Sequence, residues 1–185
     1  MRHTISVLVE NKFGVLARIA GLFSGRGFNI ESLTVGPTHD RTLSKMTVVT
    51  SGDDAVLEQI DKQLNKLVEV VQVTDLTGSG FVARELMMIK VETTDESRNQ
   101  VMQVVNIFKG NVIHVEHNAL IIEVIGQSKK LDAFIGLIEK YGIIELARTG
   151  KVALARSSEP TEMLKTVSGN YTKTGNGGSE GIEGN

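Results

Sequence analysis

Ile5, Val7 and Val9 recur at every second position, the period of a half-buried strand, and the run ends at Glu10. Leu16, Ile19, Ala20 and Phe23 then recur at three- and four-residue intervals, the stripe of an amphipathic helix. Asn11, Lys12, Phe13 and Gly14 join them as a tight loop, with Gly14 free to take backbone angles that other residues avoid. Gly25 and Gly27 are placed to end the helix in a left-handed cap. Phe28, Asn29 and Ile30 open a second strand, and a third spans Leu43 to Thr50. Asp53 is placed as an N-cap in front of a helix carrying Val56, Leu57, Ile60, Leu64 and Leu67. Val68 to Asp75 is a β-branched strand, which completes the order βαββαβ.

The second half repeats that order. Leu86 to Val91 reads as a strand, and Thr93 with Glu96 as a capping box before a helix bearing Val101, Val104, Val105 and Phe108. Gly110 is placed to end that helix, and Asn111 to Glu116 and Leu120 to Ile125 read as strands. Ser128 is expected to cap a helix with Leu131, Phe134, Ile135 and Ile138 in register. Gly142 stops it, and Ile143 to Ala155 contains a last strand. The repeat predicts an α+β fold of two tandem ferredoxin-like βαββαβ domains, residues 1–77 and 78–156, with Gly78, Ser79 and Gly80 as linker. Residues 157–185, rich in Gly, Ser, Thr and Asn, are expected to form a disordered tail. Two helices on one face of each sheet leave the other face, or an edge, to be covered, which predicts symmetric pairing of chains.

Composition narrows the function. The 185 residues are 41% hydrophobic, enough for a real core, and carry a formal net charge of −2. That balance argues against nucleic acid or an anionic membrane as partner. Aromatics make up 4% with no tryptophan, and no base-stacking pattern emerges. The absence of cysteine excludes disulfides and thiolate metal sites. Glu10, Lys12 and Arg18 interrupt the apolar N-terminus, so neither a signal peptide nor a spanning helix is expected, and a cytoplasmic location follows.

No constellation of catalytic residues emerges. There is no Gly-x-Ser-x-Gly elbow and no Walker-type lysine loop. Gly78 to Ala83 matches a dinucleotide fingerprint in spacing, but a strand follows it where that motif requires a helix. His114 and His117 fall on opposite faces of a strand and cannot converge on one ion. Asp53 and Asp54, like Asp95 and Glu96, complement helix N-termini, whereas Lys129 and Lys130 stand at a helix start where the dipole disfavours them. What remains is the loop from Asn11 to Gly14. A polar loop feeding a helix N-terminus presents N–H groups to a carboxylate, although plain turn geometry also accounts for Asn11, Gly14 and Asn29.

The same segment carries a family resemblance. Glu10-Asn11, Gly14-Val15-Leu16, Arg18-Ile19, Gly21-Leu22-Phe23, the run from Arg26 to Leu33, and Gly36-Pro37-Thr38 resemble the ACT domain of acetolactate synthase small subunits. Arg84-Glu85-Leu86 and the run Leu131 to Phe134 resemble that family's second domain. The resemblance implies a non-catalytic regulatory chain that pairs through its ACT domains and activates a large catalytic subunit. It implies feedback inhibition by a branched-chain amino acid, valine in the first instance. By the same implication Asn11, Gly14, Val15 and Leu16 meet the effector from one chain, and Asn29 and Ile30 from its partner. Thiamine diphosphate, magnesium and FAD belong to the catalytic chain and none to this one. The other reading is a ligand-sensing ACT regulator of transcription or of another enzyme.

Overall fold

A computed structural model describes residues 1–78 and 80–156. The tail expected at 157–185 lies outside the described residues, as does Ser79 of the linker. The first unit runs β1 (Arg2–Glu10), α1 (Val15–Ser24), β2 (Ile30–Pro37), β3 (Leu43–Ser51), α2 (Asp54–Leu64) and β4 (Val70–Asp75). Its sheet is antiparallel in the order β2-β3-β1-β4. The second unit runs β5 (Phe81–Glu92), α3 (Asp95–Ile107), β6 (Asn111–Val115), β7 (Ala119–Gly126), α4 (Ser128–Ile138), a 3-10 turn (Glu139–Tyr141), β8 (Ile143–Arg148) and β9 (Val152–Ala155). Here the order is β6-β7-β5-β8, the same arrangement, and β9 pairs separately with the first residues of β5. The twofold βαββαβ expectation is met.

Each core is what the periodicities require. Ile5, Val7 and Val9 meet Ile19, Phe23, Ile60 and Leu64 in the first unit; Met87, Ile89 and Val91 meet Val101, Val105, Leu131 and Phe134 in the second. Edge-to-face ring pairs, Phe23 with Phe28 and Phe108 with Phe134, fill the space between helix and loop or helix and helix. Asp53 caps α2 by accepting from the Val56 N–H at 2.8 Å.

Several local expectations are corrected. Gly27, at φ 70°, takes the left-handed position after α1, while Gly25 remains right-handed. The capping box of α3 is Thr94 with Ser97, not Thr93 with Glu96, because the Thr93 N–H is already bonded to the Asn118 carbonyl. Gln127 stands at the N-cap of α4, and the Ser128 hydroxyl donates instead to the Glu85 carboxylate. Lys109, at φ 51°, ends α3 in place of Gly110. Gly110 is fixed by crowding, since a Cβ there would stand 3.1 Å from the Glu123 carbonyl.

The largest correction concerns the chain from Ile143 to Ala155. It is two strands, not one, broken at Thr149–Lys151. β9 turns away from the second sheet and forms a ribbon with Phe81–Arg84, extending β5 beyond the strand expected from Leu86. The break rests on the first unit. The Lys151 N–H donates to Ser32 Oγ at 3.1 Å, and a Cβ on Gly150 would come within 2.7 Å of both Ser32 Oγ and the Leu33 carbonyl. Ser32 pairs with Val49 and Thr34 with Thr47, so this contact falls on the face of the first sheet away from its helices. Thr4, Ser6, Thr47 and Val49 on that face are all buried. The Thr149–Lys151 break thus covers part of the helix-free face of the first sheet within one chain, while Met88 and Ile125 on the corresponding face of the second sheet stay exposed. Gly150→Ala is expected to force the loop off β2 at a cost of about 1–3 kcal/mol, the usual penalty for overpacking a close contact. Hydrogen exchange should show faster exchange at Ser32–Thr34 in that variant.

Candidate functional site

The turn between β1 and α1 is built from backbone bonds. The Asn11 N–H donates to the Thr42 carbonyl at 2.7 Å and its side-chain amide to the Arg41 carbonyl at 3.0 Å, tying the loop to the strand beside it. Gly14 sits at the N-cap with φ 82°, which lets the chain reverse into α1 within two residues. No side chain caps this helix, and no acidic residue occupies its first turn. The positive end of its dipole therefore has no counter-charge from α1 itself. Val15 is buried and anchors the turn, whereas Leu16 and the fully exposed Phe13 set apolar surface around it. Arg18 is engaged in an ion pair with Glu69, whose carbonyl accepts from the Glu10 N–H beside the turn.

Asn11, Gly14, Val15 and Leu16 thus come together. Asn29 and Ile30 do not join them within one chain. The Asn29 carbonyl accepts from Thr50 Oγ1 at 2.7 Å, and Ile30 pairs with Thr50, which faces His3 at the far end of β1. Glu10 lies seven residue steps along β1 from His3, roughly 23 Å at strand spacing. Among the described residues, no strand lies on the outer edge of β2.

The other pre-formed feature was not foreseen. Arg148 of β8 bonds Glu85 of β5 and Asp132 of α4, both at 2.7 Å. Glu85 is only 7% exposed and also accepts from Ser128. These groups and Arg2, Glu31, Ser32 and Gly150 line a cleft of about 490 Å³ between the two units. The Ser51 hydroxyl and the Arg2 guanidinium hold the Glu31 carboxyl below the usual carboxylate range. The strand pattern carried one signal for this network: Glu85 falls in phase with Met87, Ile89 and Val91, which puts a carboxylate on a core-facing position. Phe81, after the glycine pair, opens a strand, so the dinucleotide fingerprint lacks its helix.

A tandem βαββαβ chain with an uncapped strand-to-helix turn has the architecture of paired ACT-type regulatory modules. Residues 5–72 match the family model described as the AHAS small subunit-like ACT domain, and residues 84–157 the one described as the small subunit of acetolactate synthase. The chain belongs to the acetolactate synthase small-subunit family. It is 51% identical to the acetolactate synthase small subunit of Mycobacterium bovis, over 83% of this chain and 92% of that one. It is 48% identical to the acetolactate synthase isozyme 3 small subunit of Escherichia coli, over 86% and 98%. The crystal structure of the acetolactate synthase small subunit from Thermotoga maritima superposes with a TM-score of 0.80 at 43% identity, covering 86% of this chain and 99% of that one. No helix among the described residues is long and apolar enough to cross a membrane.

Proposed function

We propose that this chain is a non-catalytic regulatory subunit that activates a catalytic acetolactate synthase chain and makes it sensitive to a branched-chain amino acid, valine first. The observation that carries the reading is the turn at Gly14. Its uncapped helix N-terminus suits a carboxylate, and Asn11, its amide N–H spent on Arg41, keeps a carbonyl oxygen for an ammonium group. Phe13 and Leu16 supply apolar surface for an aliphatic side chain. Asn29 and Ile30, too distant in their own chain, reach such a ligand only from a second copy, so the reading includes a homodimer. Thiamine diphosphate, magnesium and FAD belong to the catalytic partner, and the complex works in the cytoplasm.

For valine to inhibit, it must bind the inactive arrangement better than the active one; a coupling of about 1–3 kcal/mol is the usual scale. The test is acetolactate formation by the matched catalytic subunit, with and without this chain, each with and without millimolar valine. Activation that valine reverses is expected. Activation indifferent to valine removes the effector, and no activation removes the partnership. Asn11→Ala is expected to weaken inhibition at least tenfold in valine concentration while activation persists; a dose–response curve superimposable on the unmodified chain's would remove Asn11 from the site.

A further inference from the structure

The glycine-linked units meet over a second cavity, about 320 Å³, next to the cleft described above. Both cavities share Arg2, Glu85, Ser128 and Lys151 in their walls. The second is dominated by positive charge. Arg2, Arg84, Lys129 and Lys151 line it, against a single carboxylate, Glu85, already engaged by Arg148 and Ser128. Arg2 is paired with Glu31. Among the described residues, the Arg84 guanidinium bonds the neighbouring Ala83 carbonyl, and no carboxylate lies at ion-pair distance from Arg84, Lys129 or Lys151.

Folding does not explain this collection of charge. The whole chain holds 22 acidic against 20 basic residues, so a surplus of three cations in one cavity is not a sample of the average surface. Lys129 and Lys130 occupy the first turn of α4, where the dipole disfavours cations. The two helices with side-chain caps obey the rule: α2 begins with Asp54, and α3 with Asp95 and Glu96. Lys130 has a structural use, since its ammonium donates to the Ile125 carbonyl at 2.8 Å. Lys129 has none of this kind among the described residues. α4 also lacks a side-chain cap and an acidic first-turn residue; the Lys130 and Leu131 N–H groups are bonded to the Gln127 carbonyl, which leaves the Ser128 and Lys129 N–H groups as the donors its N-terminus can offer.

We infer that this inter-unit cavity binds a compact polyanion bearing two or more linked phosphate groups. Arg84, Lys129 and Lys151 provide charge at three points from β5, α4 and the β8–β9 loop, and the α4 N-terminus provides backbone donors. Arg2 brings in the first unit, so an occupied cavity ties the two units together. The volume sits at the lower end of small-molecule sites, in keeping with a ligand no larger than a short phosphate chain and its carrier. This site is separate from the turn at Gly14, and its test reads binding without any catalytic partner.

The full-length chain is titrated with sodium tripolyphosphate by calorimetry at constant ionic strength, with thermal unfolding as a second readout. Saturable binding and a raised melting temperature are expected. The triple variant Arg84→Gln, Lys129→Gln, Lys151→Gln should lose at least tenfold in affinity, and Lys129→Arg with Lys151→Arg should keep it. A control triple, Lys62→Gln, Lys66→Gln, Lys109→Gln, removes the same charge outside the cavity and should bind as the unmodified chain does. Equal loss in both triple variants would reduce the effect to overall charge and overturn the site. Absence of saturable binding would overturn it too, and tighter binding of citrate than of tripolyphosphate would overturn the phosphate assignment.

Discussion

Gly14→Asp is expected to abolish valine inhibition while leaving activation of the catalytic subunit in place. The backbone at this position has φ 82°, in the left-handed region where a side chain normally costs about 1–2 kcal/mol. Aspartate is among the residues that tolerate that region best, so α1 and the core beneath it should survive. The effect on the ligand is of another order. A carboxylate would sit at the N-terminus that the proposal reserves for the effector's own carboxylate, neutralising the dipole and repelling the ligand. Nothing lies within 4 Å of a Cβ at Gly14, so the new side chain has room to occupy the site without disturbing the packing of Val15. The check is the valine dose–response of the reconstituted enzyme, where a shift of a hundredfold or more is expected. Inhibition at unchanged valine concentrations would place the effector elsewhere. Unchanged melting behaviour distinguishes a lost site from a lost fold.

Arg148→Ala is the second large effect, and it falls on stability. Arg148 is the only cation among the described residues at ion-pair distance from Glu85, whose side chain is 8% exposed. Its removal leaves a buried carboxylate with the Ser128 hydroxyl alone, and breaking such a pair typically costs about 3–5 kcal/mol. The Arg148 side chain is 25% exposed at the cleft, and water entering there should bring the loss to about 2–4 kcal/mol. For a unit of this size that lowers the melting temperature by roughly 10 °C or more. The companion is Glu85→Met with Arg148→Met, which removes both charges and keeps apolar bulk. It should recover most of the loss, because the cost lies in the stranded charge and not in the missing attraction. If both variants unfold together at the same lowered temperature, the pair acts through packing. If Arg148→Ala melts as the unmodified chain does, the carboxylate is better hydrated than its burial indicates.

How much of this was legible in the sequence differs between fold and site. Period-two and period-3.6 patterns are local, so Ile5–Val9, Leu16–Phe23 and their counterparts in the second half specified strands and helices without any knowledge of contacts. Cap positions were less legible. Thr93 and Thr94 are chemically alike, and only the bond from Thr93 N–H to the Asn118 carbonyl selects the second as the cap. The turn at Asn11–Gly14 was marked by residue types whose reason is local: a glycine at positive φ and a helix start without an acidic residue.

The amino-acid sequence by itself determined the two βαββαβ units, the composition of each core and the glycine at the head of α1, because each depends on neighbours within a few residues. Tertiary structure alone decided the split of Ile143–Ala155 into two strands and the docking of Gly150 on β2, since that break answers to Ser32 and Leu33, over a hundred positions away. It also decided that Arg148 should meet Glu85 and Asp132, and that Arg84, Lys129 and Lys151 should share one cavity. Charge carries no periodicity of its own, so which ionised groups face one another is set by the way two units pack and not by their order along the chain.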